Sequence, residues 1–146
     1  MRRNVWRMIE AAVICLALNI YHEARNQPVV GQIAVSEVVL NRVTDDRYPN
    51  TVCKVVRQAE YSRGSRHPVR WRCQFSWFCD GKSDRPKDVD AYRWALSLSK
   101  RILNGEFAPL VEGATHYHTV FVNPKWNIRK EKVGKIGDHI FYRWKK

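Results

Sequence analysis

The chain predicts an α+β domain, mainly helical, with a small sheet at its C-terminal end. Apolar residues recur at three- and four-residue spacing as far as Gly105, and from residue 113 onward they alternate with polar ones. Helices first and a sheet last is the order of an α+β domain rather than of alternating units around a parallel sheet. At 146 residues, 45% hydrophobic and 27% charged, the chain is expected to form one globular domain over 1–146.

The first helix is expected over residues 7–22, where Ala11, Ile14, Leu18 and Tyr21 share a face. Its opening, "MRRNVWRMIEAAVICLALNIY", also has the basic-then-apolar order of an export signal. The uncharged run from Ala11 to about Tyr21 is too short to cross a bilayer, and "LALNIYHEA" offers large residues where a signal cleavage site needs small ones. A core helix is favoured, a signal or signal-arrest segment stays open, and synthesis in a cytoplasm without an export route of its own is expected. Pro28 interrupts. "VVGQIAVSEVVLNRV" then reads as a second helix, apolar on most faces and therefore central. "DDRYPN" ends it, and Asn50 or Thr51 can cap a third helix with Val52, Val55, Val56 and Ala59 on one face. Gly64, Pro68, Gly81 and Pro86 punctuate residues 61–87, which read as a long loop, and long ordered loops are usually functional. Asp88 is a good N-cap for a fourth helix that turns Ala91, Ala95, Leu98 and Ile102 inward and closes at Gly105. "GATHYHTVFV" and "DHIFYRW", around "VGKIGD", are expected to form the small sheet or hairpin.

Net charge is the outstanding bulk property, at +12. From Pro124 onward eight lysines and arginines face two acids, so this tail alone carries +6. "YSRGSRHPVRWR" adds four arginines and no acid. Such a surface seeks anionic polymers, whether nucleic acid, lipopolysaccharide or cell-wall glycopeptide. The four cysteines include no C-x-x-C pair, so structural zinc is not expected. Cys15 reads as a small core residue. A bridge among Cys53, Cys73 and Cys79, with Cys53–Cys79 the expected pair, fits a protein working outside a reducing cytoplasm.

Three stretches carry chemistry. In "NIYHEARNQPVVGQ" a lone carboxylate, Glu23, follows the first helix. A helix C-terminus disfavours an anion and an apolar wall disfavours it further, so both would raise its pKa toward that of a general acid, although an isolated Glu after a helix is usually a solvated charge. "WRCQFSWFCDG" sets aromatics among Gln74, Ser76 and Asp80. Aromatic faces stack on sugar rings, while amides and hydroxyls bond to sugar hydroxyls; interleaved arginines equally allow base stacking, and Phe75 or Phe78 could instead be core. "GATHYHTVFVNPKW" puts His116 and His118 on one strand face, but with no third ligand nearby metal is not expected. Trp126 looks like an aromatic wall, and His67 and His139 read as structural or surface residues.

Together these segments resemble the SleB/CwlJ family of cell-wall hydrolases. "LALNIYHEARNQPVVGQIAVSEVVLNRV" is similar to the family's opening helix, its Glu-Ala-Arg segment and its buried helix. "YPNTVCKVVRQ", "CQFSW" with "CDG", "GATHYH" with "VNPKW", and "IGDHIFYRW" follow in order, so the resemblance runs from about Leu16 to Trp144. Where the spore enzymes show Gly-Glu-Ala-Arg, His22 replaces the glycine. That variant, with its cysteine-flanked Gln-Phe-Ser-Trp, resembles the branch from Gram-negative bacteria and their phages.

The resemblance implies a lysozyme-like, lytic-transglycosylase-like core that cleaves the β-1,4 bond between N-acetylmuramic acid and N-acetylglucosamine. Glu23 would be the catalytic acid, Arg25 a support for its turn, and Gln74, Phe75, Ser76 and Trp126 lining for the glycan groove. His116 with Tyr117 would face the acid. No cofactor is needed, and the expected partner is the peptidoglycan strand, met by a monomer without a separate wall-binding domain. An anionic envelope surface is a further expected contact; specific nucleic acid is not. The expected setting is a compact bacterial wall enzyme or phage endolysin, antimicrobial in effect, made in the cytoplasm and acting on the periplasmic wall. A muramidase-type hydrolase would need a second carboxylate, for which Asp80, Asp84 and Glu60 are available. Glu37, within the buried helix, is expected to form a helix-face ion pair. The alternative of another class is a basic nucleic-acid-binding protein or nuclease.

Overall fold

In the computed structural model of the protein, residues 2–146 are described, with side chains from residue 4 onward. Four α-helices precede a three-stranded antiparallel sheet: α1 (Arg2–Ala24), α2 (Val29–Val43), α3 (Val52–Val56) and α4 (Val89–Leu103). A hairpin of β1 (Ala59–Tyr61) and β2 (Pro68–Cys73) stands between α3 and α4, and the sheet joins β3 (His116–Thr119), β4 (Lys130–Ile136) and β5 (His139–Trp144) in the order β3-β5-β4.

α2 is the central element because its sequence is apolar almost all round. Ile33 and Val39 pack into a helical core with Leu16, Ile20, Val55, Leu98 and their neighbours. Ala34, Val35 and Val38 meet Val111, Ala114 and Phe141, a second core that seats the sheet on the helices. Caps set the helix boundaries. Thr51 accepts from Lys54 N–H at the start of α3, and Asp88 accepts from Ala91 N–H at the start of α4. Gly105, at φ 75°, follows the Asn104 C-cap of α4 in the left-handed conformation that such positions favour. The tight β4–β5 turn depends on Gly137, since a Cβ there would collide with Oε1 of Gln27, which accepts from Asp138 N–H. Gln27 thereby ties the α1–α2 junction to the sheet.

Several expectations change in the structure. Residues 61–87 are not one loop: the β1–β2 hairpin and a short 3-10 helix (Ser76–Cys79) occupy much of them, and Ala59 belongs to β1 instead of α3. The segment "VGKIG" is mostly strand β4 rather than a connection, while Val120–Val122 leave β3 for a turn. Among the described residues Glu37 makes no ion pair; its two carboxylate oxygens accept from Leu110 N–H (2.6 Å) and Val111 N–H (3.0 Å), satisfying two amides of the loop before β3.

The expected Cys53–Cys79 bridge is replaced by two others, Cys15–Cys53 and Cys73–Cys79. Cys15 on α1 lies against the start of α3, because α1 packs on α3, so it is a partner of Cys53 rather than a free core residue. Cys73 and Cys79 lie close because the chain between them curls into the 3-10 helix. The first bridge links residues 38 apart, and closing a loop of that length stabilises by about 3–4 kcal/mol in the chain-entropy account. A Cys15→Ala/Cys53→Ala double variant is expected to lose about that much in urea unfolding, whereas Cys73→Ala/Cys79→Ala, spanning only 6 residues, is expected to lose less.

Candidate active site

Where α1 ends, its last turn carries Tyr21, His22 and Glu23, each turned to a different task. The Tyr21 hydroxyl accepts from Lys87 N–H and Asp88 N–H, both at 3.0 Å, holding the start of α4. His22 stacks on Trp77 with ring centroids 4.7 Å apart and bonds through Nε2 to the Asp84 carbonyl at 2.9 Å. Arg25 folds back so that Nη1 donates to Tyr21 O at 3.0 Å, with its guanidinium over the Tyr21 ring, which is the expected support for the turn. Glu23 alone of the four points into a cleft of about 300 Å³ between α1, α2, the Cys73–Cys79 loop and β3.

Glu23 is half-buried where it lines that cleft. Burial pushes its pKa from 4.5 up to about 7. Two smaller effects oppose the rise: contact with the Tyr117 hydroxyl, then the charge of Arg42. The Tyr117 contact is looser than an ordinary hydrogen bond, and that hydroxyl has no other partner among the described residues. Desolvation therefore outweighs a buried cation and a phenol together, and the carboxyl is poised between its two forms near neutrality.

Arg42 was not singled out by sequence reasoning, yet it organises the cleft. Its Nε donates to Thr115 O at 2.8 Å, its Nη1 reaches Gln74 Oε1 at 3.4 Å, and its guanidinium lies 5.4 Å from the Phe75 ring centroid. Arginine next to the end of a buried helix is the available signal, since such a cation needs a partner. His139, expected to be structural or superficial, also lines the cleft. It packs edge-on against Tyr117 at 5.0 Å, its Nδ1 is unpartnered among the described residues, and burial lowers its pKa.

Of the expected binding residues, Gln74 and Ser76 are exposed at the cleft, and Tyr117 faces Glu23. Phe75 is only 3% exposed and belongs to the helical core, so it forms floor rather than platform. His116 does not face the acid with Tyr117. Adjacent strand residues point to opposite faces, and His116 instead packs on the outer face of the sheet against Trp126 (5.3 Å) and Trp144 (5.2 Å). Trp126 goes with it, packing on Tyr142 and on His118; His118 reaches the edge of the cleft, and Trp126 does not line it. Burial, then the charges of Arg42 and Lys130, push the His116 pKa down to about 4, so its ring is neutral at pH 7.

Among the described residues Glu23 is the one carboxylate lining the cleft. Asp80 accepts from Lys82 N–H, Glu60 pairs with Arg72 on the surface, and Asp84 packs beside His22. No group of three or more histidines, cysteines and carboxylates with metal-holding geometry occurs among the described residues.

The sequence profile of the cell wall hydrolase family matches residues 26–142. The chain belongs to that family. The profile match begins just after Glu23, but the relatives extend over most of the chain. The spore cortex-lytic enzyme of Bacillus cereus is 29% identical over 126 residues, covering 86% of this chain and 42% of its own length. That of Halalkalibacterium halodurans is 31% identical over 131 residues, covering 86% and 33%. The chain thus spans less than half of these relatives. The fold is similar to the catalytic domain of the Bacillus cereus SleB protein, with a TM-score of 0.63, 27% identity, and 92% of this chain and 91% of that one covered. The catalytic domain of the germination-specific lytic transglycosylase SleB from Bacillus anthracis gives 0.64, 28%, 91% and 94%. The α+β class is therefore that of the family's catalytic domain.

The raised Glu23 pKa has a consequence for stability. Its folded value, about 7, lies above the ordinary 4.5, so the carboxyl does not oppose folding below about pH 4.5 and opposes it increasingly as pH rises to 7. Glu23→Gln is expected to unfold at higher urea than wild type at pH 8, by about 2–3 kcal/mol. The difference should vanish near pH 4.5. Tyr117→Phe removes a contact that favours the charged form, so the Glu23 carboxyl, followed by carbon-13 NMR, is expected to titrate above its wild-type value.

Proposed function

We propose that the protein cleaves the β-1,4 bond between N-acetylmuramic acid and N-acetylglucosamine in peptidoglycan as a lytic transglycosylase. The observation that carries this reading is a single cleft carboxylate, Glu23, with a pKa near neutrality. Protonated Glu23 gives its proton to the glycosidic oxygen as the bond to muramic C1 breaks. The resulting carboxylate then takes the proton of the muramic C6 hydroxyl, whose oxygen closes on C1 to form a 1,6-anhydro ring. Each proton lost by Glu23 is regained in the same turnover, and no water-activating group is required. A hydrolase with two carboxylates would need a partner across the cleft, and Asp80, Asp84 and Glu60 all lie elsewhere. Family membership also leaves the nucleic-acid alternative without support.

Arg42 and the unpartnered groups of Tyr117 and His139 suit the polar demands of the substrate. Arg42 stabilises the carboxylate formed after proton donation, and Tyr117 and His139 offer vacant hydrogen-bonding positions to sugar substituents. Gln74 and Ser76 are held at the cleft by the Cys73–Cys79 bridge that brackets them. That bridge, with the His22–Trp77 stack beside it, favours a compact wall enzyme of the endolysin kind, made in the cytoplasm and completed where disulfides persist outside it.

Digestion of purified peptidoglycan, with fragments read by mass spectrometry, tests the reaction. Anhydro-muramic ends, lighter by one water than reducing ends, are expected from wild type and absent with folded Glu23→Gln. Reducing ends would replace the transglycosylase by a hydrolase, and no fragments from folded wild type would end the glycan reading. The general-acid limb of kcat/KM is expected to fall as pH rises through about 7. Activity is also expected to drop in the Cys73→Ala/Cys79→Ala variant, with Glu23 and its surroundings still folded by near-ultraviolet circular dichroism.

A further inference from the structure

The Glu23 cleft does not end at Gln74. Beyond Gln74 and Cys73, which wall both, lies a second pocket of about 490 Å³ formed with Gln58, Ala59, Glu60 and Arg72. The reaction described above uses Gln74 but not Gln58, Glu60 or Arg72. Gln58 is held there by its backbone, whose carbonyl accepts from Gln74 N–H at 2.9 Å, while its side-chain Oε1 is enclosed without a partner among the described residues. An enclosed, unpartnered acceptor is costly, and turning it outward to a ligand N–H forfeits no bond on that atom.

Opposite it, Arg72 Nη1 meets Glu60 Oε2 at 3.2 Å, with both side chains about two-thirds exposed (65% and 66%). A pair this exposed contributes little to stability and leaves each charge open to an incoming counter-charge. The backbone is distorted where it forms. The β1–β2 ladder jumps from Ala59↔Cys73 to Tyr61↔Pro68, and within that bulge Trp71 takes φ 65°, a left-handed conformation that is strained for a large side chain. Bulges beside active sites commonly re-aim a side chain, and this one delivers Arg72 to Glu60 at the pocket wall.

We propose that this pocket binds the stem peptide of the muramic residue while the sugars lie over Glu23. The inference rests on the peptidoglycan reading above. A short stem peptide carries amide N–H groups, carboxylates and, where it is not cross-linked, a free amine. These match Gln58 Oε1, Arg72 and Glu60, whereas an uncharged sugar offers hydroxyls but no counter-charge to either. The peptide branches sideways from the glycan, so its site must open beside the cleft, as this pocket does.

The test compares wild type, Arg72→Ala and Gln58→Leu on glycan strands bearing uncross-linked stem peptides and on the same strands stripped by an amidase. Wild type is expected to show kcat/KM about tenfold higher on the peptide-bearing strands. Both variants are expected to lose that preference through KM and to cut stripped strands as wild type does. Equal wild-type rates on both substrates, or an equal loss on both in the variants, would overturn the assignment. Titration with the free stem tripeptide, followed by amide NMR shifts at residues 58–60 and 72–74, reads the pocket without catalysis. Shifts that weaken with Arg72→Ala support it even if both kinds of strand resist folded wild type, a result that would remove the glycosidase reading alone; no shifts with wild type would overturn it.

Discussion

The buried guanidinium of Arg42 links the three segments that enclose Glu23. It sits at the end of α2, bonds to the Thr115 carbonyl just before β3, and reaches Gln74 in the disulfide-closed loop. A buried cation is tolerated only where its donors find acceptors, so each of these bonds fixes a wall of the cleft. Burial lowers the Arg42 pKa, but the charges of Tyr48, Tyr117 and Glu23 act the other way. The acid and the cation thus each favour the charged form of the other, against burial. Desolvation raises Glu23 toward neutrality, and the Tyr117 hydroxyl, then Arg42, keep it from rising further, which leaves a carboxyl able to give or take a proton near pH 7.

That balance explains why the helix end alone was an incomplete reason for a raised pKa. The carboxyl lies in the last turn of α1, but burial is the cause that raises it, through packing of β3 and the Phe75 loop around it. Local sequence can place a carboxylate at a helix terminus; only the tertiary fold decides how much water it keeps. The same fold supplies Tyr117, which is legible as a partner once β3 is known, because the period of two sends Tyr117 to the opposite side of the strand from His116 and His118.

Much of the helical half was legible because its signals are local. The α2 boundaries, the Thr51 and Asp88 caps and the stop at Gly105 each follow from side chains acting within a few residues. Errors collect where distant segments meet. The Cys15–Cys53 pairing depends on how α1 meets α3, and Glu37 found its partners 73 and 74 residues away in a loop with two amides to satisfy. The β1–β2 hairpin escaped notice since its bulge breaks the alternation by which strands are read. Trp126 was misplaced for a related reason: an aromatic beside a sugar-binding motif looks like a platform, but in this fold it covers the outer face of the sheet.

The two disulfides divide the labour between stability and the site. Cys15–Cys53 joins helices whose packing already buries Leu16, Val55 and Val56, and so reinforces a core. Cys73–Cys79 encloses Gln74, Phe75 and Ser76, a stretch whose middle residue is buried while its neighbours are exposed at the cleft. The loop is anchored by Phe75 and by Trp77, which donates to Asn19, but has little backbone ladder to hold it, so a short covalent closure fixes its shape. Phe75 then acts as the pin, Arg42 as the clasp through Gln74, and the bridge as the limit on how far the loop can open. The geometry around Glu23 is set by this closure as much as by the helix that carries the acid.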